Sequence, residues 1–245
     1  LMELPVGLLG VAMATVILPA LSVSVAKNKA EDYQATLQWG LITMLVVSLP
    51  SVAGLVVLSE PILMTLFMRD QFSLLDVSMT QVAFWGYGIG LVPIVMIKLL
   101  APVFYANKDT KTPVRIAMGA IFFTQILNFI FWMVLPADIK HAGLAMAISG
   151  GAWLNAVALV IKLRSRGLFV DDNKWLLVLR DSVFATLLMS IVIFFAAREV
   201  DWLLQGAWER LAALVVIIVI GVITYSCVLL IFGRRVGDFL RSRVS

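Results

Sequence analysis

The chain has 245 residues, of which 62% are hydrophobic and 14% charged, and its mean hydropathy is +1.01. Soluble domains are roughly half apolar and one-quarter charged, and a membrane span uses about 20 apolar residues. The length is therefore consumed by spans and short connections, which excludes a large water-soluble catalytic domain. The single cysteine, Cys227, excludes an intramolecular disulfide, and the single histidine, His141, excludes the common multi-His and Cys/His metal sites. No metal and no cofactor are expected. A net charge of +4 and a pI near 9.4 suit basic residues at a cytoplasmic membrane face, and no nucleic-acid partner is expected.

The chain opens on LMELPVGLLG, with neither an initiator methionine nor the basic stretch and cleavage site of a signal peptide, and it reads as a piece of a longer protein. Long apolar runs broken by polar clusters then predict an all-α, polytopic membrane protein. In chain order the spans cover Leu4 to Ala26, Leu37 to Leu58, Val77 to Tyr105, Pro113 to Leu135, Ala142 to Leu163, Trp175 to Ala197 and Leu211 to Phe232. Between the second and third, Pro61 to Met68 is apolar but too short to cross, which predicts a helix lying in the interface.

Positive loops stay in the cytoplasm, so the lysines and arginines assign direction. Fourteen lie on one side: Lys27, Lys29, Lys108, Lys111, Arg115, Lys162, Arg164, Arg166, Lys174, Arg180 and four beyond Phe232. Four lie on the other, Arg69, Lys140, Arg198 and Arg210, and Lys98 inside a span completes the nineteen. The chain is thus expected to start outside and to end in the cytoplasm.

An ionisable group inside a span costs at least about 2.5 kcal/mol on insertion scales. For Lys98 two readings fit: its stem snorkels to the cytoplasmic interface, or its ammonium faces an internal cavity and meets an anionic substrate. Gln125 and Asn128 share one face of the fourth helix with Thr124 beside them, which suits hydrogen bonding between helices or, alternatively, coordination of an ion or substrate. Gly143, Ala147, Gly151 and Asn155 form a spacing-four row for close packing on the fifth helix. Gly86, Gly90, Pro93 and Pro102 suggest a bent third span. No Asp or Glu is expected deep in any span, Glu3 being the nearest, and no P-loop, GxSxG or HExxH occurs. The chain is not expected to be an enzyme.

Several stretches together resemble one family: LMELPVGLLGVAMATVILPALS at 1–22, SEPILMTLFMRDQF at 59–72, IKLLAPVFYANKDTKTPVRIA at 97–117 and HAGLAMAISGGAWLN at 141–155. They are similar to the MurJ (MviN) lipid II flippases of the multidrug/oligosaccharidyl-lipid/polysaccharide exporter superfamily. The resemblance implies a fourteen-helix protein of which this chain would supply helices eight to fourteen. Residues 1–165 would be five helices of the C-terminal lobe with the interfacial helix near 61–68, and residues 166–245 two additional helices with a basic tail. It further implies alternating-access transport of lipid II, an undecaprenyl-pyrophosphate-linked saccharide-peptide, across the bacterial inner membrane. The partners would be that substrate, membrane lipids and the N-terminal half of the same protein. Glu3 and Lys98 would face the substrate, and the last two helices would handle its lipid tail. Two alternatives stand beside this reading: a related exporter of another polyprenyl-linked glycan or of drugs, and a non-transporting scaffold of cell-envelope synthesis.

Overall fold

A computed structural model describes residues 6–27, 29–68, 72–168 and 174–233, and every regular element among them is helical. A π-helical stretch, Val6–Val11, leads into α1 (Ala12–Ala26). There follow α2 (Ala30–Val57), α3 (Ser59–Phe67), α4 (Leu74–Ala106), α5 (Lys111–Val134), a 3-10 turn (Ala137–Ile139), α6 (Lys140–Ser165), α7 (Lys174–Arg198) and α8 (Ala207–Ile231). Among the described residues six helices are long and apolar enough to cross a membrane. The first predicted span is the exception. Its α-helical part has 15 residues, about 22 Å at 1.5 Å per residue, and it approaches a bilayer's width only with the π-helical stretch added.

Membrane helices cannot be sorted by a hydrophobic stripe, because the lipid-facing side is as apolar as the buried one. Small residues and backbone acceptors do the sorting here. Along α4 and α6, His141 Nε2 donates to the Met79 carbonyl at 2.8 Å, Ser149 Oγ to Gly86 at 2.6 Å and Trp153 Nε1 to Ile89 at 3.0 Å. The separations in sequence are 62, 63 and 64 residues, so the two helices run parallel, with a register that drifts by one residue from each bond to the next. They approach so closely that a Cβ added to Gly90 would lie 2.8 Å from the Ser149 Cα, and one added to Gly86 3.0 Å from the Ala145 Cβ. On its other side α6 carries Gly143 against Phe131 and Leu135 and Gly151 against Thr124 and Ala120, the row predicted for close packing, with α5 antiparallel to it.

Among the described residues two large apolar cores result, with a small third cluster around Leu63, Met64 and Val77. One joins α1, α2, α4 and the end of α6 around Ile17, Leu37, Leu99, Phe104 and Leu163. The other joins α2, α3, α7 and α8 around Val46, Ile62, Ala185, Met189 and Leu229. A short helix, α3, forms in the segment predicted to lie in the interface, and its Ser59, Pro61, Ile62, Leu63, Met64 and Thr65 are buried among neighbours that include α4 and α8. The α2–α3 junction at Leu58 is held by Ser59, whose Oγ donates to Val56 at 2.7 Å and accepts from Gln81 Nε2 at 3.3 Å and Trp85 Nε1 at 3.2 Å.

Pro50 and Pro93 both lie inside helices, and a helical proline leaves the carbonyl four residues earlier without its donor. For Pro50 that carbonyl belongs to Val46, and Tyr225 Oη of α8 donates to it at 2.6 Å. For Pro93 it belongs to Ile89, the acceptor of Trp153. Each lost helical bond is replaced by an aromatic donor from a neighbouring helix, as an apolar solvent demands.

Candidate functional site

Lys98 sits on the exposed side of α4 eight residues before the helix ends at Ala106, about 12 Å along the axis. Its stem lies across the π-helical stretch at Gly10. A Cβ placed on Gly10 would stand 3.1 Å from the lysine's Cβ, 2.9 Å from its Cγ and 3.7 Å from its Cδ. Pro102 follows four residues later, so the Lys98 carbonyl also lacks its helical donor. Glu3, the other residue expected to face substrate, lies outside the described residues.

Gln125 and Asn128 bond each other within α5 and not a neighbouring helix: Asn128 Nδ2 donates to Gln125 Oε1 at 3.3 Å, with Gln125 exposed and Asn128 half-buried. Thr124 beside them donates to its own helix at Ala120, 2.9 Å away. Asn128 Oδ1 is buried without a hydrogen-bond partner. This pair stands on α5, which packs chiefly on α6, whereas Lys98 packs on the stretch before α1; Asn155 is half-buried on α6. Among the described residues the predicted polar side chains are therefore spread over three helices and do not converge on one point. Among the described residues no group of three or more His, Cys, Asp or Glu could hold a metal ion.

The loop inside the most specific sequence stretch, 97–117, is a worked piece of polar architecture. Lys108 takes a left-handed backbone, φ 58°, and turns the chain so that Asp109 Oδ1 accepts from the Thr112 amide at 3.0 Å, at the start of α5. Arg166, just past α6, pairs with Asp109 at 2.6 Å, donates to Thr112 Oγ1 at 3.1 Å and lies 5.3 Å from the ring of the fully buried Phe104. The Thr112 hydroxyl and amide, then Arg166, hold the Asp109 carboxyl well below the usual carboxylate range. Asn107 continues the network, donating to Tyr33 Oη at 3.1 Å and to Val103 at 2.8 Å. The ends of α4 and α6 are thereby clamped to the starts of α5 and α2.

The structure corrects one expectation. Asp181 lies inside α7 and is 3% exposed, so a carboxylate is buried in a span after all. Arg180 donates to its Oδ1 through Nε at 3.1 Å and Nη2 at 2.8 Å while remaining 69% exposed. Read as a loop residue, Arg180 hid its neighbour, and the signal available was that two charged residues stand past the first turn of an otherwise apolar run. The buried hydroxyl of Thr186 has no hydrogen-bond partner. A mostly apolar cavity of about 160 Å³ lies where α2, α4, α6 and the start of α7 meet, with Leu41, Ile42, Met96 and Val160 in its walls and Gln34, Gln38 and Arg164 as polar members. Lys98 does not line it.

Comparison with known proteins gives one consistent result. The family model described as "Lipid II flippase MurJ" matches residues 1–213. The protein named "Lipid II flippase MurJ" of Burkholderia cenocepacia is 37% identical over 243 residues, which is 98% of this chain and 46% of that protein. "Probable lipid II flippase MurJ" of Vibrio cholerae serotype O1 is 35% identical, over 97% of this chain and 45% of that one. The chain thus spans less than half the length of these relatives. The solved structure titled "Lipid II flippase MurJ, inward closed conformation" superimposes with a TM-score of 0.71 at 24% identity, covering 97% of this chain and 45% of that one; at that identity it is the fold that is shared.

Proposed function

The chain belongs to the lipid II flippase MurJ family, and from that premise we propose that it forms the C-terminal half of a transporter of undecaprenyl-linked peptidoglycan precursor. In this reading the protein lies in the bacterial cytoplasmic membrane and works by alternating access, the cavity opening between this half and an N-terminal half. The observation that carries the reading is the family match over 1–213 together with the share of the relatives that it leaves uncovered.

The geometry supports a rocking lobe. The α4–α6 pair is joined by three side-chain-to-backbone bonds and glycine-level contact, and α1 and α2 close a core on it, so these helices move as one body. A site between rigid bodies explains why polar residues do not converge within this chain alone. The lipid diphosphate is strongly anionic, and a cavity shielded from water needs Lys or Arg to hold it; Lys98, exposed beside the π-helical stretch, meets that requirement. Glu3 would face the same cavity, and α7 and α8, apolar over most of their length, would contact the isoprenoid tail. In this scheme Asn128 and Asn155, both half-buried, serve helix packing, and Gln125 pairs with Asn128 on the exposed side of α5.

The test is reconstitution into vesicles with labelled lipid II. This chain alone leaves the lipid in its original leaflet, and co-reconstitution with the N-terminal half restores movement. Movement by this chain alone would refute the half-transporter reading.

A further inference from the structure

We infer that Gly10 is a positioning residue for Lys98, its missing side chain being what lets the lysine stem lie flat across the start of α1 and present its ammonium to a lipid diphosphate. The inference rests on the reading of Lys98 as a substrate contact. Gly10 falls in a π-helical stretch, a rare geometry that concentrates at functional sites. A methyl group there would meet the lysine at Cβ and Cγ, 3.1 and 2.9 Å away. These are the carbons nearest the α4 backbone, so the whole side chain must swing; a clash with a flexible tip would be absorbed locally. The lysine's own helix gives it little freedom to compensate, because Leu99 and Leu100 beside it are fully buried. Gly7, one turn earlier in the same stretch, has nothing within 4 Å of an added Cβ, which supplies a control with the same change in helix propensity and no contact with Lys98.

The experiment uses the complete protein that carries this chain, purified and reconstituted, with lipid II binding and flipping measured separately. Gly10→Ala weakens lipid II binding, in the direction of Lys98→Met and by on the order of a hundredfold at most, the worth of one charge-assisted contact; Gly7→Ala leaves it unchanged. In the Lys98→Met background Gly10→Ala adds no further loss. Lys98→Arg, which lays the same three carbons over Gly10 and keeps the positive charge, retains part of the binding that Lys98→Met loses, and this result does not depend on Gly10→Ala folding. Wild-type binding by Gly10→Ala alongside impaired Lys98→Met would overturn the positioning role and leave the substrate contact standing. Wild-type binding by Lys98→Met would overturn both. Additive losses in the double variant, or a loss in Lys98→Arg as large as in Lys98→Met, would equally reject the positioning role.

Discussion

Asp109 shows how much one short loop is asked to do. Its carboxylate receives the Thr112 amide and the Arg166 guanidinium, and its carboxyl is held well below the usual range, first by Thr112 and then by Arg166. A depressed carboxylate contributes stability that is present above the unfolded-state pKa, near 3.9, and is lost as pH falls toward the folded-state value. Asp109→Asn is accordingly less stable than wild type at neutral pH, and the gap in thermal midpoint narrows as the pH falls below about 4. Equal midpoints at pH 7 would show that the clamp contributes nothing. A second residue-scale prediction concerns Tyr225, which bonds the Val46 carbonyl freed by Pro50. Tyr225→Phe costs about 0.6 kcal/mol, the average for hydrogen bonds between membrane helices, and at most about 1.7 kcal/mol. In a Pro50→Ala background, where the carbonyl regains its helical donor, the same change costs much less. An undiminished cost there would mean that Tyr225 acts through packing only.

At the scale of elements, the parallel α4–α6 pair is the part of the molecule least tolerant of added volume. A side chain at Gly90 meets the Ser149 backbone, which cannot rotate away as a side-chain tip can. Gly90→Leu therefore separates the two helices and breaks the Ser149 and Trp153 bonds, costing about 1–3 kcal/mol or more. Gly119, on α5 with nothing within 4 Å of an added Cβ, accepts leucine with little change. Comparing the thermal midpoints of the two variants in detergent checks the assignment, and equal midpoints would contradict it. The same logic explains why small residues were legible as packing surfaces while their partners were not. Spacing-four repeats mark a smooth helix face, but nothing in the repeat says that Gly143 and Gly151 face α5 and that Ser149 faces α4.

Across the whole molecule the connections gather at two ends. One holds Lys29, Lys108, Lys111 and Arg166, tied together by contacts such as Arg166 with Asp109 and Asn107 with Tyr33. The other holds Lys140, Arg198 and Arg210, the last bonded to the Met64 carbonyl of α3 at 3.4 Å. On the positive-inside rule we propose that the first end is the cytoplasmic one. Single cysteines at Lys29 and Lys111, with Cys227 replaced, are then shielded from an impermeant thiol reagent in intact cells, while cysteines at Asp138 and Asp201 react. The opposite labelling pattern would invert the orientation.

Composition and charge order by themselves determined that the chain is an all-helical membrane protein, where most of its spans run and on which ends its positive charge collects. These are properties of a segment against bilayer and water, and each segment carries them alone. The stretch 97–117 made the family legible for a related reason: its turn, cap and ion-pair residues must occur in a set order for the loop to close on Arg166. Only the tertiary structure decided that α3 is buried, that Asp181 lies within the bundle and that Lys98 rests on Gly10. Two faces of an apolar helix look alike in sequence whether they meet lipid or protein, so the choice between them is made by the neighbouring helix, through missing side chains that admit close approach and through carbonyls left open by proline.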